Sequence, residues 1–182
     1  MKTEKISVAE ISRLREAAEI ERNTHHEVMN RISKISSVQV GFNWLPDGLP
    51  AKEQMQIVKR GNQKEIMALL TAYANLRMSS HDEERFERVN IAPEVQMYIF
   101  HQPIGFDAAR IYMLEHNRLC LDVETELIKK KMMSVIAKKR LSPKAEVFLL
   151  THCLHEGKEQ DSDSSLFPVQ EYLEKNRLSP LG

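Results

Sequence analysis

The sequence predicts an all-α fold: an α-α superhelix, or solenoid, of irregular helical hairpins behind an N-terminal helical cap. Three observations carry this. Apolar residues fall at three- and four-residue spacing along most of the chain, a short window of apolar and polar positions recurs, and turn formers separate the windows. Composition agrees: 42% of the 182 residues are hydrophobic and 29% charged, the balance of a folded chain, and Met (9) outnumbers both Gly (6) and Pro (7), which favours helix.

Taken in order, Ser7-Val8-Ala9-Glu10 reads as a capping box, followed by Ile11, Leu14 and Ala18 at helical spacing, so a helix with a charged outer face is expected from Val8. Thr24-His25-His26-Glu27 repeats the capping pattern ahead of Val28, Met29, Ile32 and Ile35, so the helix either continues or breaks and restarts there, with a restart the favoured reading. Residues 41–50 concentrate turn formers around Phe42 and Trp44. They divide a helical cap, residues 1–45, from the hairpins of 46–182, and the two aromatics are expected to dock on the helices that follow.

Past that boundary one window recurs: an apolar residue, Glu or Gln five positions later, and adjacent apolar residues eight and nine positions later. It occurs at Leu49, Gln54, Ile57, Val58; at Ile91, Gln96, Ile99, Phe100; at Leu119, Glu124, Leu127, Ile128; and at Leu141, Glu146, Leu149, Leu150. Pro93 and Pro143 stand where a proline opens a helix. The stretches Tyr112–Leu119, Val135–Leu141 and Tyr172–Leu178 share an apolar helix end, a basic or amide turn, and a leucine.

Each window is therefore read as the first helix of a hairpin, and the stretch after it as the second; stacked neighbours would bury the apolar stripe that one hairpin leaves open. In the first unit a Gly61-Asn62 turn precedes Ile66, Leu69, Leu70 and Tyr73 on one helical face. In the second, Pro103 and Gly105 make the turn and Ala108, Ile111 and Leu114 line the second helix. The third runs Lys129-Lys130-Lys131-Met132-Met133 without a breaker, predicting a tight turn or near fusion, and the fourth carries an acidic, serine-rich insertion, Glu156 to Ser165, before Pro168. The windows start 42, 28 and 22 residues apart, so the array is irregular, and residues 77–90, with Ser80-His81-Asp82-Glu83 as another capping box, supply an extra helix or a decayed unit.

The run Ile57-Val58-Lys59-Arg60-Gly61-Asn62-Gln63-Lys64-Glu65-Ile66 resembles the short helical repeats of uncharacterised repeat proteins of gut Bacteroidetes. In those a unit carries an apolar pair, Arg-Gly-Asn, an acidic pair, an Ile and a Tyr-Ile helix end. Only the first unit here keeps Arg-Gly-Asn; the others keep the leucine, acid and apolar-pair positions across residues 49–180. The resemblance implies an α-solenoid of HEAT-like or tetratricopeptide-like character, and no chemistry.

Charge narrows the function classes. Lys plus Arg (26) equals Asp plus Glu (26), so no global field draws a polyanion or an anionic membrane. Cys120 and Cys153 lie far apart among apolar residues, which suits free thiols in a reducing cytoplasm. No nucleophile elbow, phosphate-binding glycine loop or His-Glu-x-x-His is present, so no catalytic residue and no cofactor is assigned. The expected function is a scaffold that binds a protein or peptide along its stacked helices. One alternative is nucleic-acid or anion binding through a stretch free of acidic residues that holds Lys129, Lys130, Lys131, Lys138, Lys139, Arg140 and Lys144. Another is metal binding by His116, Cys120, His152 and His155, whose four-residue and three-residue spacings would place each pair on one helix face. Carboxylates such as Glu53, Glu124 and Glu146 recur with the units, which assigns them to capping or bridging helices.

Overall fold

The structure is a computed structural model that describes residues 7–36, 48–79, 90–102, 105–136, 138–139, 141–156 and 172, without the side chains of 36, 76–79, 133 and 153–156. Every regular element among the described residues is a helix: α1 (Val8–Ser36), α2 (Ala51–Arg60), α3 (Gln63–Ser79), α4 (Pro93–His101), α5 (Asp107–His116), α6 (Leu121–Lys129), α7 (Met133–Ile136) and α8 (Pro143–Glu156). None of these helices is long and apolar enough to cross a membrane. The chain packs as two units, Met1–Val89 and Asn90–Gly182.

In the first unit α1 begins at Val8, where the Glu10 N–H donates to Ser7 Oγ at 3.2 Å. The expected break at Thr24 does not occur. Thr24 Oγ1 donates to the Ile20 carbonyl at 2.8 Å, so its hydroxyl bonds back along the helix instead of capping a new one, and α1 runs unbroken. Its C-terminal half packs on α3 and buries Ile32 and Ile35. Two side-chain contacts mark its direction. His25 Nδ1 lies 2.8 Å from Glu65 Oε1 in the first turn of α3, and Arg31 lies 2.9 Å from Glu53 in the first turn of α2. Because α2 and α3 form a hairpin, α1 runs parallel to α3 and against α2. Glu65 is 0% exposed, with the His25 ring at its Oε1 and Arg60 3.4 Å from its Oε2.

The α2–α3 turn follows its residues. Gly61, at φ 73°, closes α2 by donating its N–H to the Val58 carbonyl at 3.0 Å, and Asn62 Oδ1 accepts the Lys64 N–H at 3.1 Å to open α3. Ile66, Leu69, Leu70 and Tyr73 are all buried, as their spacing requires. Gly48 has φ +70°, and a Cβ there would stand 2.5 Å from the Tyr73 hydroxyl, so only glycine lets the chain pass that ring.

In the second unit α4 packs on α5 and α6, and α6 on α7 and α8. Arg110 joins the first hairpin by donating to the carbonyls of Phe100 at 3.3 Å and Gln102 at 3.0 Å, groups left open at the end of α4. The buried face of α5 is Ala109, Met113 and Leu114: Leu114 is core as expected, whereas Ala108 is exposed and Ile111 is 56% exposed. Ala109 and Met113, four residues apart, share the inward face that Leu114 borders, which leaves Ile111 on the outer side.

The compressed hairpin resolves into a defined turn. The Lys131 N–H donates to the Ile128 carbonyl at 2.9 Å and the Met132 N–H to the Leu127 carbonyl at 3.0 Å, the paired bonds of a Schellman cap, with Lys131 at φ 54°. Lys131 stands twelve residues after Leu119, as Gly61 stands twelve after Leu49, so one left-handed position recurs with a lysine in place of glycine. Phe42, Trp44, residues 80–89 and Pro168 lie outside the described residues; Tyr172 is described, helical and buried.

Two opposite substitutions check these backbone assignments. Lys131→Gly should raise stability by about 1 kcal/mol, because the left-handed conformation costs a lysine that much more than a glycine. Gly48→Ala should lower it by at least about 2 kcal/mol, through the same conformation and the collision with Tyr73. Urea unfolding followed by circular dichroism measures both.

Candidate interaction surface

The polar position of each window is buried at Gln54, Gln96, Glu124 and Glu146, where an unbonded amide or carboxylate would be costly. Gln54 Nε2 donates to the Leu49 carbonyl and Gln96 Nε2 to the Ile91 carbonyl, each at 2.8 Å and each across five residues. The side chains also reach forward. Gln96 Oε1 accepts the Cys120 N–H at 2.8 Å, and Glu124 Oε1 accepts the Ser142 N–H at 3.0 Å while its Oε2 accepts the Ser142 hydroxyl. Cys120 and Ser142 each follow the first apolar residue of the next window.

Two tyrosines complete the pattern. The Tyr73 hydroxyl accepts the Leu49 N–H at 2.8 Å and Gln54 Nε2 at 3.1 Å. The Tyr172 hydroxyl accepts the Leu141 N–H at 3.1 Å and donates to Glu146 Oε1 at 2.9 Å. Burial raises the Tyr73 hydroxyl, and it pushes Tyr172 up to about 12, with the Glu146 carboxyl adding to the rise. Burial likewise raises the Glu124 carboxyl, partly offset by the two bonds from Ser142 and, more remotely, by Arg118 and Lys139. These are structural groups: each tyrosine holds the start of the window that precedes it, and Glu124 holds the start of the window that follows.

The basic stretch is divided. Lys129, Lys130 and Lys131 cluster at the C-terminal end of α6, where positive charge complements the helix dipole. Lys129 Nζ pairs with Glu126 at 3.1 Å, which lowers the Glu126 carboxyl, and Lys130 Nζ lies 4.8 Å from the centre of the Phe100 ring. Lys139 instead donates to the Asn117 carbonyl, four residues before α6 begins. A helix of nine residues is about 13 Å long, so the two groups sit at opposite ends of α6. Lys138 and Lys144 are exposed, and Arg140 lies outside the described residues.

The histidines and cysteine are separated by backbone. His116 is the last residue of α5 and Cys120 the N-cap of α6, with an extended bend between them, so the pair does not share a helix face as its spacing suggested. His116 is exposed, its ring 4.4 Å from that of Tyr112, and His152 stacks on Phe148 at 5.5 Å. Burial pushes the Cys120 thiol up, which leaves little thiolate at neutral pH. The side chain of His155 lies outside the described set, and among the described residues no three His, Cys, Asp or Glu side chains group as metal ligands.

What sequence reasoning missed is the outward ridge. Two and six residues after each window start, α4 carries Pro93 and Met97, α6 carries Leu121 and Thr125, and α8 carries Pro143 and Val147. Leu121 is 38% and Val147 42% exposed, apolar side chains on neighbouring helices. The signal was present in the window register, since positions four apart share a helix face.

Glu124→Gln should fold with unchanged or slightly higher stability at neutral pH, because an amide at this position serves Gln96 in the same way, whereas Glu124→Ala should cost about 1–3 kcal/mol by leaving the Ser142 N–H unbonded. The carboxyl is raised in the folded chain, so its stabilising contribution is present at acid pH and lost as pH rises through the carboxylate range. Wild type should therefore gain on Glu124→Gln as the pH of a urea titration is lowered. No family model, curated protein or solved structure matches this chain, and the functional reading rests on the surface described.

Proposed function

We propose that this chain is a helical-repeat scaffold, an α-solenoid of HEAT-like or tetratricopeptide-like character, that binds a protein or peptide partner in the cytoplasm. The observation that carries the reading is the ridge of corresponding positions on α4, α6 and α8, where Leu121 and Val147 present apolar side chains to solvent. Helices packed side by side in one register offer an extended row of such positions, which fits a partner chain better than a small molecule. The buried window positions support the same reading, because the polar residue of one window holds the start of the next at two successive joints. The basic stretch supports it too: Lys129 and Lys139 are engaged by Glu126 and the Asn117 carbonyl. Two cysteines set far apart among apolar residues fit a reducing compartment.

The test is affinity capture from native lysate with wild type and with Leu121→Glu/Val147→Glu. Both side chains are exposed, so the double variant should keep the wild-type circular dichroism spectrum and thermal midpoint. Wild type should return a reproducible protein partner whose yield falls at least about tenfold with the variant, as loss of an apolar anchor does. Equal capture by both proteins, or no partner for wild type, would contradict the proposal.

A further inference from the structure

The first four turns of α1 are exposed on every side: each residue from Ser7 to Asn23 is open to solvent, while burial begins near Thr24 and is complete at Ile32 and Ile35. His25 sits at the first turn of α3, so the residues before it extend past the α2–α3 turn for about 24 Å at about 1.5 Å per residue. A lone helix of this length is marginal in water unless its apolar stripe is covered. The stripe is there: Ile11 is 41% and Leu14 61% exposed, with Ala18 one turn on.

The stripe has the register of a helix pair. Counting Ile11 as the first core position of a seven-residue repeat places Leu14 and Ala18 at the next two core positions, and the same count carried on reaches His25, Val28, Ile32 and Ile35. Those last residues lie on the side of α1 that α3 covers. One seam therefore runs the length of α1, closed by α3 in its second half and open in its first.

We propose that the open half of this seam pairs, in parallel, with the same segment of a second copy of the chain. Charge selects that occupant and that direction. Beside the seam, Glu10 and Arg15 occupy the flanking positions that face each other across a parallel pair, so each copy's Glu10 meets the other's Arg15. Glu21, at the core position after Ala18, would face its own counterpart, which ends the apolar seam there, with Arg22 of the second copy beside it to offset the like charge. An antiparallel pair would set the Arg15 and Arg22 flank against itself. Ala17 and Ala18 allow close approach of the two helices. The surface is self-complementary, which is what a two-fold interface demands. It is separate from the ridge on α4, α6 and α8 and stands without it.

Sedimentation equilibrium of the full chain between roughly 10 and 500 µM reads the association directly. Wild type should pass from monomer to dimer with concentration. Leu14→Glu should remain monomeric throughout, with the circular dichroism spectrum and thermal midpoint of wild type at the lowest concentration, where both are monomers, since Leu14 is 61% exposed within one copy. Glu10→Arg or Arg15→Glu alone should weaken the dimer about fivefold or more, and the two together should restore it to within about twofold. A wild type that stays monomeric, a Leu14→Glu variant that associates like wild type, or a charge-swapped double variant with no recovery would each overturn the proposal.

Discussion

A backbone N–H just ahead of a helix has no partner within that helix, and in a buried joint water cannot supply one. The rest of the second unit depends on how this donor is satisfied. Gln96 takes the N–H of Cys120 and Glu124 takes that of Ser142, from helices that pack side by side. Each bond fixes where the next helix starts relative to the last, which brings the apolar positions of α4, α6 and α8 into register around the core: Ile99, Leu127 and Leu149 are all buried. Apolar burial supplies most of the free energy, but it is non-directional. The amide and carboxylate supply the register.

The first unit meets the same need differently. Pro50 stands where Cys120 and Ser142 stand in later windows, and a proline has no N–H to offer. The Tyr73 hydroxyl takes the preceding N–H, that of Leu49, and Gln54 bonds to the same oxygen. The cost is a close approach of backbone to ring that only a glycine at position 48 allows. Tyr172 repeats the arrangement with Leu141 and Glu146. Glutamine, glutamate and tyrosine are thus alternative answers to one unsatisfied donor.

Much of this was legible in the sequence, and the reasons differ by element. The helical class and the window positions could be read because a buried apolar pair and a recurring amide or acid leave a periodic trace. The Gly61-Asn62 turn could be read because glycine is the usual residue for a left-handed cap. The turn at Lys131 could not, since lysine gives no such signal and its conformation is imposed by the bonds from Met132 and Lys131 to the preceding turn. Thr24 misled because a hydroxyl that caps a helix can equally bond back within one. The face of α5 was legible only at Leu114, because Ile111 looks like core by type while Ala109, smaller, takes the interior. For the site, the basic residues could be picked out by type, but their separation along α6 follows from the bond between Lys139 and the Asn117 carbonyl, which joins residues 22 apart. The ridge of Leu121 and Val147 was overlooked because exposure depends on which neighbours pack where.

Amide hydrogen exchange at Cys120 and Ser142 tests the central claim most directly. Both N–H groups lie outside the hydrogen-bonding ladder of any helix, yet both are bonded to buried side chains. They should exchange as slowly as the core amides of α6, with protection rising and falling together with that helix as denaturant is added. Exchange at the rate of an open loop, while α6 stays protected, would contradict the account.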